Sequence, residues 1–250
     1  MKKLIKIILK IFGYKIEKIN LLAQNVPVEA NKFEKKIIYK SKKYSITDYK
    51  ALYSVTQSIK HIYTNKIDGD IVECGVWRGG NIILIKEMIK YYKLKKNIFA
   101  FDTFEGMTAP SRNDINYQNI LAKEIMKNTK KLNKSDNIWC YSNLSDVKNN
   151  ILKNCKDHKN IKFIKGDVKK TLKIKKNLPK KISLLRLDTD FYESTKIELE
   201  ILYPLLEKNG ILIIDDYGYW KGARKAVDEY FKNKKNWMHV INETCRLIIK

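Results

Sequence analysis

The chain has 250 residues, 44% of them hydrophobic, with 51 Lys and Arg against 27 Asp and Glu, a formal net charge of +24. That length holds one sizeable core and excludes two full-sized domains, so the expected organisation is an appendage over residues 1–45 and one domain over 46–250. Only five of the basic residues are Arg, at 78, 112, 186, 224 and 246; nucleic-acid readers lean on Arg for bidentate contacts, so a Lys-rich solvated surface is preferred to a nucleic-acid partner.

Cys74, Cys140, Cys155 and Cys245 form no CxxC pair and show no metal-ligand spacing with a histidine. A disulfide framework and a zinc site are thereby disfavoured, and a cytoplasmic location is expected. In the opening stretch MKKLIKIILKIFGYKI, Lys6 and Lys10 break the apolar run and no cleavage site follows, so it reads neither as a transmembrane helix nor as a signal peptide. Lys3, Lys6 and Lys10 share one flank of a helix and Leu4, Ile5, Ile8, Ile11 and Phe12 the other. Such a helix suits the inner face of an anionic membrane, or docking on the chain's own core or on a second subunit of a homo-oligomer.

From Tyr44 to Asn65 apolar residues recur at three and four, which predicts a helix capped near Thr47. DIVECGV (70–76) predicts a first strand and a glycine turn leading into a helix, and NIFAFDTF (97–104) a second strand. The polar stretch 105–137 predicts a surface loop and helix, followed by a capped helix in SNLSDVKNNILKN. NIKFIKGDV and ISLLRLDTD predict the third and fourth strands. A helix then runs to the stop signal Asn209-Gly210, before the fifth strand ILIIDDYG. After the helix in WKGARKAVDEYFKN, MHVIN and CRLIIK predict a closing hairpin. Strands alternating with helices give an α/β, doubly wound, mostly parallel sheet with an antiparallel C-terminal edge hairpin, seven strands in all.

Ligands of such sheets bind at the carboxyl ends of the strands. Four of the five parallel strands end there in Asp: Asp102, Asp167, Asp188 with Asp190, and Asp215 with Asp216. Six carboxylates on one rim repel unless a cation sits among them, and a hard divalent ion is the economical answer. Taken alone, Asp167 reads as a helix cap. The turn ECGVWRGGN lacks G-x-G-x-x-G spacing and no phosphate loop occurs, which disfavours hydride transfer and NTP hydrolysis. Asp102 suits a ribose diol, so a nucleoside cofactor is expected.

The motifs GDIVECGVWRGGN, FDTFEGM, KGDVKKTL, LLRLDTDFYESTK and GILIIDDYG, in this order over roughly Thr47 to Tyr230, resemble the macrocin O-methyltransferase family. That resemblance implies a class I, Rossmann-like methyltransferase using S-adenosylmethionine and a divalent metal, magnesium first, to methylate sugar hydroxyls. It implies a metal held by Asp188, Asp215 and Asp216, and Asp190 as general base. Glu73, Gly75, Trp77 and Arg78 would serve the methionine end of the cofactor, Asp102 the ribose and Gly166 with Asp167 the adenine, with Asp188 also near the cofactor. The segment before the first strand often forms a lid in that family, a role open to Tyr44, Thr47 and Tyr49, whereas each taken alone reads as part of an ordinary packing helix. The expected acceptor is a sugar, nucleotide-sugar or glycan in surface-glycan or secondary-metabolite biosynthesis. Another small hydroxylated metabolite, and an RNA-binding or RNA-modifying protein, are the alternatives. His61, His158 and His239 fall in no motif.

Overall fold

The structure, a computed structural model, describes residues 26–250. Helix α1 (Lys32–Lys42) is closed by a capping box between Asn31 and Glu34, and α2 (Tyr49–Thr64) follows. The chain then alternates: β1 (Asp70–Cys74), α3 (Gly80–Tyr91), β2 (Ile98–Asp102), α4 (Ala122–Asn128), α5 (Leu144–Cys155), β3 (Ile161–Lys165), α6 (Val168–Thr171) and β4 (Ile182–Leu187). It ends with α7 (Tyr192–Leu202), β5 (Leu206–Ile214), α8 (Lys221–Phe231), β6 (His239–Val240) and β7 (Arg246–Ile249).

The seven strands form one sheet in the order β3-β2-β1-β4-β5-β7-β6. β1 to β5 run parallel, and β7 is antiparallel to both β5 and β6, as the sequence predicts. The chain winds outward from β1 to β3 on one side and from β4 to β7 on the other, so the switch point lies between β1 and β4, where a crevice opens at the carboxyl ends.

Because side chains alternate along a strand, Ile71, Leu184, Ile211 and Ile213 pack into one layer with α1, α2, α3 and α5. Val72, Leu185, Leu212 and Ile214 pack into the other with α7 and α8. Each fully buried Leu or Ile contributes about 1.5–3 kcal/mol, which explains why β1 and β4 read as nearly unbroken apolar runs. Glu73 and Arg186 are the buried charged residues within them. Val26, Ala30, Ile37 and Ile38 belong to the same core cluster as α2 and α3.

Several predicted boundaries move. The cap of α2 is Asp48, whose carboxylate accepts from the Ala51 N–H, while the Thr47 hydroxyl turns inward. α7 ends at Leu202 rather than at Asn209-Gly210: Pro204 lies in the following 3-10 turn, and β5 already starts at Leu206, with Asn209 in the left-handed region. The stretch 105–137 is more than a surface loop. Ala122 and Met126 of α4 pack on Phe191, Trp220 and Ala223. The amphipathic helix expected at the N-terminus lies outside the described residues; among the described ones, no helix is long and apolar enough to cross a membrane.

Candidate active site

A cavity of about 570 Å3 opens at the carboxyl ends of the parallel strands, within the range of small-molecule sites. Gly75, Trp77, Asp102, Gly166, Asp167, Asp188, Asp190, Asp215 and Asp216 all line it. The sequence therefore places nine of its candidates on one wall.

The glycine turn is built tightly against β4. Gly75 has φ +87°, and a Cβ there would lie 1.9 Å from the Asp188 carbonyl oxygen, so only glycine lets the two strand ends close. Asp102 holds this turn from the other side. One of its oxygens accepts from the Val76 and Trp77 N–H groups at 2.7 and 3.0 Å, the other from Phe104 N–H at 2.6 Å. Burial pushes its carboxyl above the ordinary value, against the pull of these backbone donors. Asp167 caps α6 by accepting from the Lys169 N–H at 2.9 Å while still facing the cavity.

Strand register assembles the acidic cluster. Glu73 pairs with Arg186, and Arg186 with Ile213, so Asp188 and Asp215, each two residues further on, project from the same side of the sheet as Arg186. The guanidinium donates to Glu73 at 2.9 Å, to Asp188 at 2.7 Å, to Asp215 at 2.9 Å and to the Thr47 hydroxyl at 3.0 Å. Thr47 also accepts from Asn81 at 3.2 Å, which ties the segment before α2 to the site. Burial opposes the guanidinium charge, but Asp188, Asp215 and Glu73 together keep Arg186 protonated. Glu73 is raised to about 8 by burial, with Arg186 pulling the other way.

Asp188, Asp190 and Asp216 each bring one oxygen within 4.8 Å of the others. Such a set of hard oxygen donors fits a divalent cation. This trio has Asp190 where the set implied by the resemblance has Asp215: Asp188 and Asp215 each give one oxygen to Arg186, and Asp190, at φ +67°, donates its backbone N–H to the Asp216 carboxylate at 3.2 Å. Burial and the charge of Asp188 raise Asp190 to about 7. Asp215 and Asp216 also lie well above the ordinary carboxylate range, through burial first and then through Asp188 and Asp190 respectively.

Two candidates stand behind the wall. Glu73 is buried against Arg186 inside the sheet, with its second oxygen unpartnered, and Arg78 lies over the rings of Tyr44 and Trp77. Of the expected lid residues, Tyr44 and Thr47 line the cavity, whereas Tyr49 packs on Tyr39. His61 binds the Asn209 carbonyl away from the cavity, and His158 and His239 are exposed. Sequence reasoning missed Arg186 as a hub, although its i, i+2 spacing to Asp188 signals a shared face. It also missed Glu198, which reaches under the turn from α7 to accept from the Thr189 hydroxyl at 2.9 and 3.0 Å.

Comparison with known proteins identifies relatives of the chain. The chain is 29% identical over 183 residues to demethyldecarbamoylnovobiocin O-methyltransferase of Streptomyces niveus, covering 72% of this chain and 65% of that enzyme, just under two thirds of its length. It is 28% identical over 189 residues to 8-demethyl-8-(2,3-dimethoxy-alpha-L-rhamnosyl)-tetracenomycin-C 4'-O-methyltransferase of Streptomyces olivaceus, covering 75% and 67%. The solved structure of the O-methyltransferase NovP superposes with a TM-score of 0.70 at 25% identity, covering 83% and 82%. The family model Macrocin-O-methyltransferase (TylF) matches residues 6–246, nearly the whole chain. With that match and a carboxylate-rimmed crevice on this sheet order, the chain belongs to the macrocin O-methyltransferase family.

Proposed function

We propose that this chain transfers the methyl group of S-adenosylmethionine to a sugar hydroxyl with the help of a divalent cation, magnesium in the first instance. The observation that carries the reading is the convergence of Asp188, Asp190 and Asp216 within 4.8 Å at the switch point. Family membership supports the reaction class, and the rhamnosyl group in the name of one relative supports a sugar acceptor.

A cation held by Asp188, Asp190 and Asp216 would supply Lewis acidity that lowers the pKa of an acceptor hydroxyl. The chain's own residues do the rest. Gly75, Val76 and Trp77 shape the surface against which the methionine end of the cofactor lies, and Asp102 fixes that turn through its three backbone contacts. Gly166 and Asp167 provide the wall at the adenine side. In this reading Asp190 accepts the hydroxyl proton through the oxygen that is not turned to the cation. Methyl transfer from a sulfonium is an in-line displacement, so its rate depends on orientation and on exclusion of bulk water. The segment Tyr44–Asp48, tied down through Thr47, and the segment around Met107 and Ile138 cover the site on two sides.

Incubation with methyl-labelled S-adenosylmethionine and a panel of methyl glycosides tests the reading. Label should appear in a glycoside, and chelation of divalent cations should remove at least tenfold of the rate. Transfer restricted to non-sugar phenols would replace the sugar reading with that of another hydroxylated metabolite.

A further inference from the structure

The surface and the cavity of this chain carry opposite charge. The chain has 51 Lys and Arg, yet among the described residues lining the cavity there is no Lys, Arg or His, while nine carry carboxylates. Beside the Tyr44–Asp48 wall, Lys42 spends its ammonium on the Ser45 and Ile46 carbonyls, and Lys43 is exposed to solvent and does not line the cavity. Lys221 and Lys225, at the start of α8, donate to the side chains of Asn119 and Asn113.

Backbone N–H groups at turns and helix N-termini are the other common way to hold an anion, and four of those at the strand ends are already taken. Asp102 occupies those of the glycine turn, Asp167 that of Lys169 on α6, and Asp114 that of Tyr192 at the start of α7. A phosphate or carboxylate entering this cavity would meet no described side-chain cation and, at these turns, only spent donors.

The cavity is lined by the aromatic rings of Tyr219 and Trp220, with Phe191 and Tyr117 against them on either side. Phe191, Trp220, Tyr219 and Tyr117 form a row of edge-on contacts with centroids 5.4, 5.1 and 5.3 Å apart, running from beside Asp190 out to solvent. The buried end is Phe191 and Trp220, and the outer end, Tyr219 and Tyr117, is 36% and 59% exposed. Two exposed carboxylates, Asp136 and Glu243, stand on the same rim. The C–H face of a pyranose is complementary to the negative face of a ring, whereas an anion at this rim is repelled.

We propose that the acceptor is a non-anionic sugar, free of phosphate and carboxylate, whose apolar face stacks on Tyr219 and Tyr117 while its hydroxyl points toward Asp190. This rests on the methyl-transfer reading above and narrows it against nucleotide-linked sugars.

The test compares kcat/KM for neutral methyl hexopyranosides, their 2-amino counterparts, the matching uronates and 6-phosphates, and a UDP-hexose, with cofactor affinity measured separately by calorimetry. Neutral and amino acceptors should exceed their anionic counterparts at least tenfold. The Asp136→Lys, Glu243→Lys double variant should narrow that gap at least threefold without changing cofactor affinity. Tyr219→Ala should raise KM for a neutral acceptor about tenfold with cofactor affinity unchanged. An anionic acceptor used as well as its neutral partner, or a Tyr219→Ala variant with unaltered KM, overturns the proposal while leaving methyl transfer intact. Failure of the underlying reading would show separately, as absence of cofactor binding.

Discussion

Arg186 and Glu73 face each other in register on the two central strands, their Nη1 and Oε1 atoms 2.9 Å apart and both side chains 1% exposed. A lone buried charge costs several kcal/mol, so neither residue would persist in the core of this sheet without the other. Arg186 then extends the pairing to Asp188 and Asp215. One buried cation thus sets the positions of two cavity carboxylates from behind the wall.

Replacing Arg186 by Leu should therefore destabilise the fold by about 3–5 kcal/mol, because it strands its acidic partners. The double variant Arg186→Leu, Glu73→Leu should lose less than the sum of the two single losses, since the partners are coupled. Urea unfolding of the four proteins measures this. Additive losses would mean that the pair does not interact.

Glu198 is fully buried and bonds only neutral partners, the Thr189 hydroxyl and the Cys74 thiol. Burial raises its carboxyl well above the ordinary 4.5. A folded-state value above the unfolded one gives stability that is complete below about pH 4.5 and is lost as pH rises toward the folded value. Glu198→Gln, which mimics the neutral form, should remove this dependence, so its stability relative to wild type should improve between pH 5 and about pH 8. Urea midpoints at three pH values decide, and parallel profiles would count against a protonated Glu198.

Gly75→Ala places a Cβ 1.9 Å from the Asp188 carbonyl oxygen at φ +87°, and strand ends cannot yield without moving the carboxylate cluster. Cofactor affinity should fall more than tenfold. Gly79→Ala, at φ +86° but with its closest contact at 3.3 Å, should cost clearly less. Calorimetric titration of both variants checks the order.

The sheet was legible in the sequence because each strand is a short apolar run ending in a polar turn, and because Asp102, Asp188, Asp190, Asp215 and Asp216 mark the carboxyl ends directly. Which carboxylates converge was not, since it depends on register. Asp190 joins Asp188 and Asp216 through a left-handed backbone at φ +67°. The burial of Glu73 was not legible either: strand register and alternation set it against Arg186 inside the sheet. The cap of α2, expected near Thr47, is Asp48, while the Thr47 hydroxyl is claimed by Arg186 139 residues away, a contact no local pattern encodes.

The carboxylate trio gives the most direct measurement. Thermal unfolding of wild type and Asp216→Asn is followed with and without magnesium, in the presence of S-adenosylmethionine. Magnesium at one hundred times its Kd should stabilise the wild type by about 2.7 kcal/mol and leave Asp216→Asn unshifted, with cofactor stabilisation retained in both. Equal magnesium stabilisation of the two proteins would place the cation elsewhere and contradict the account.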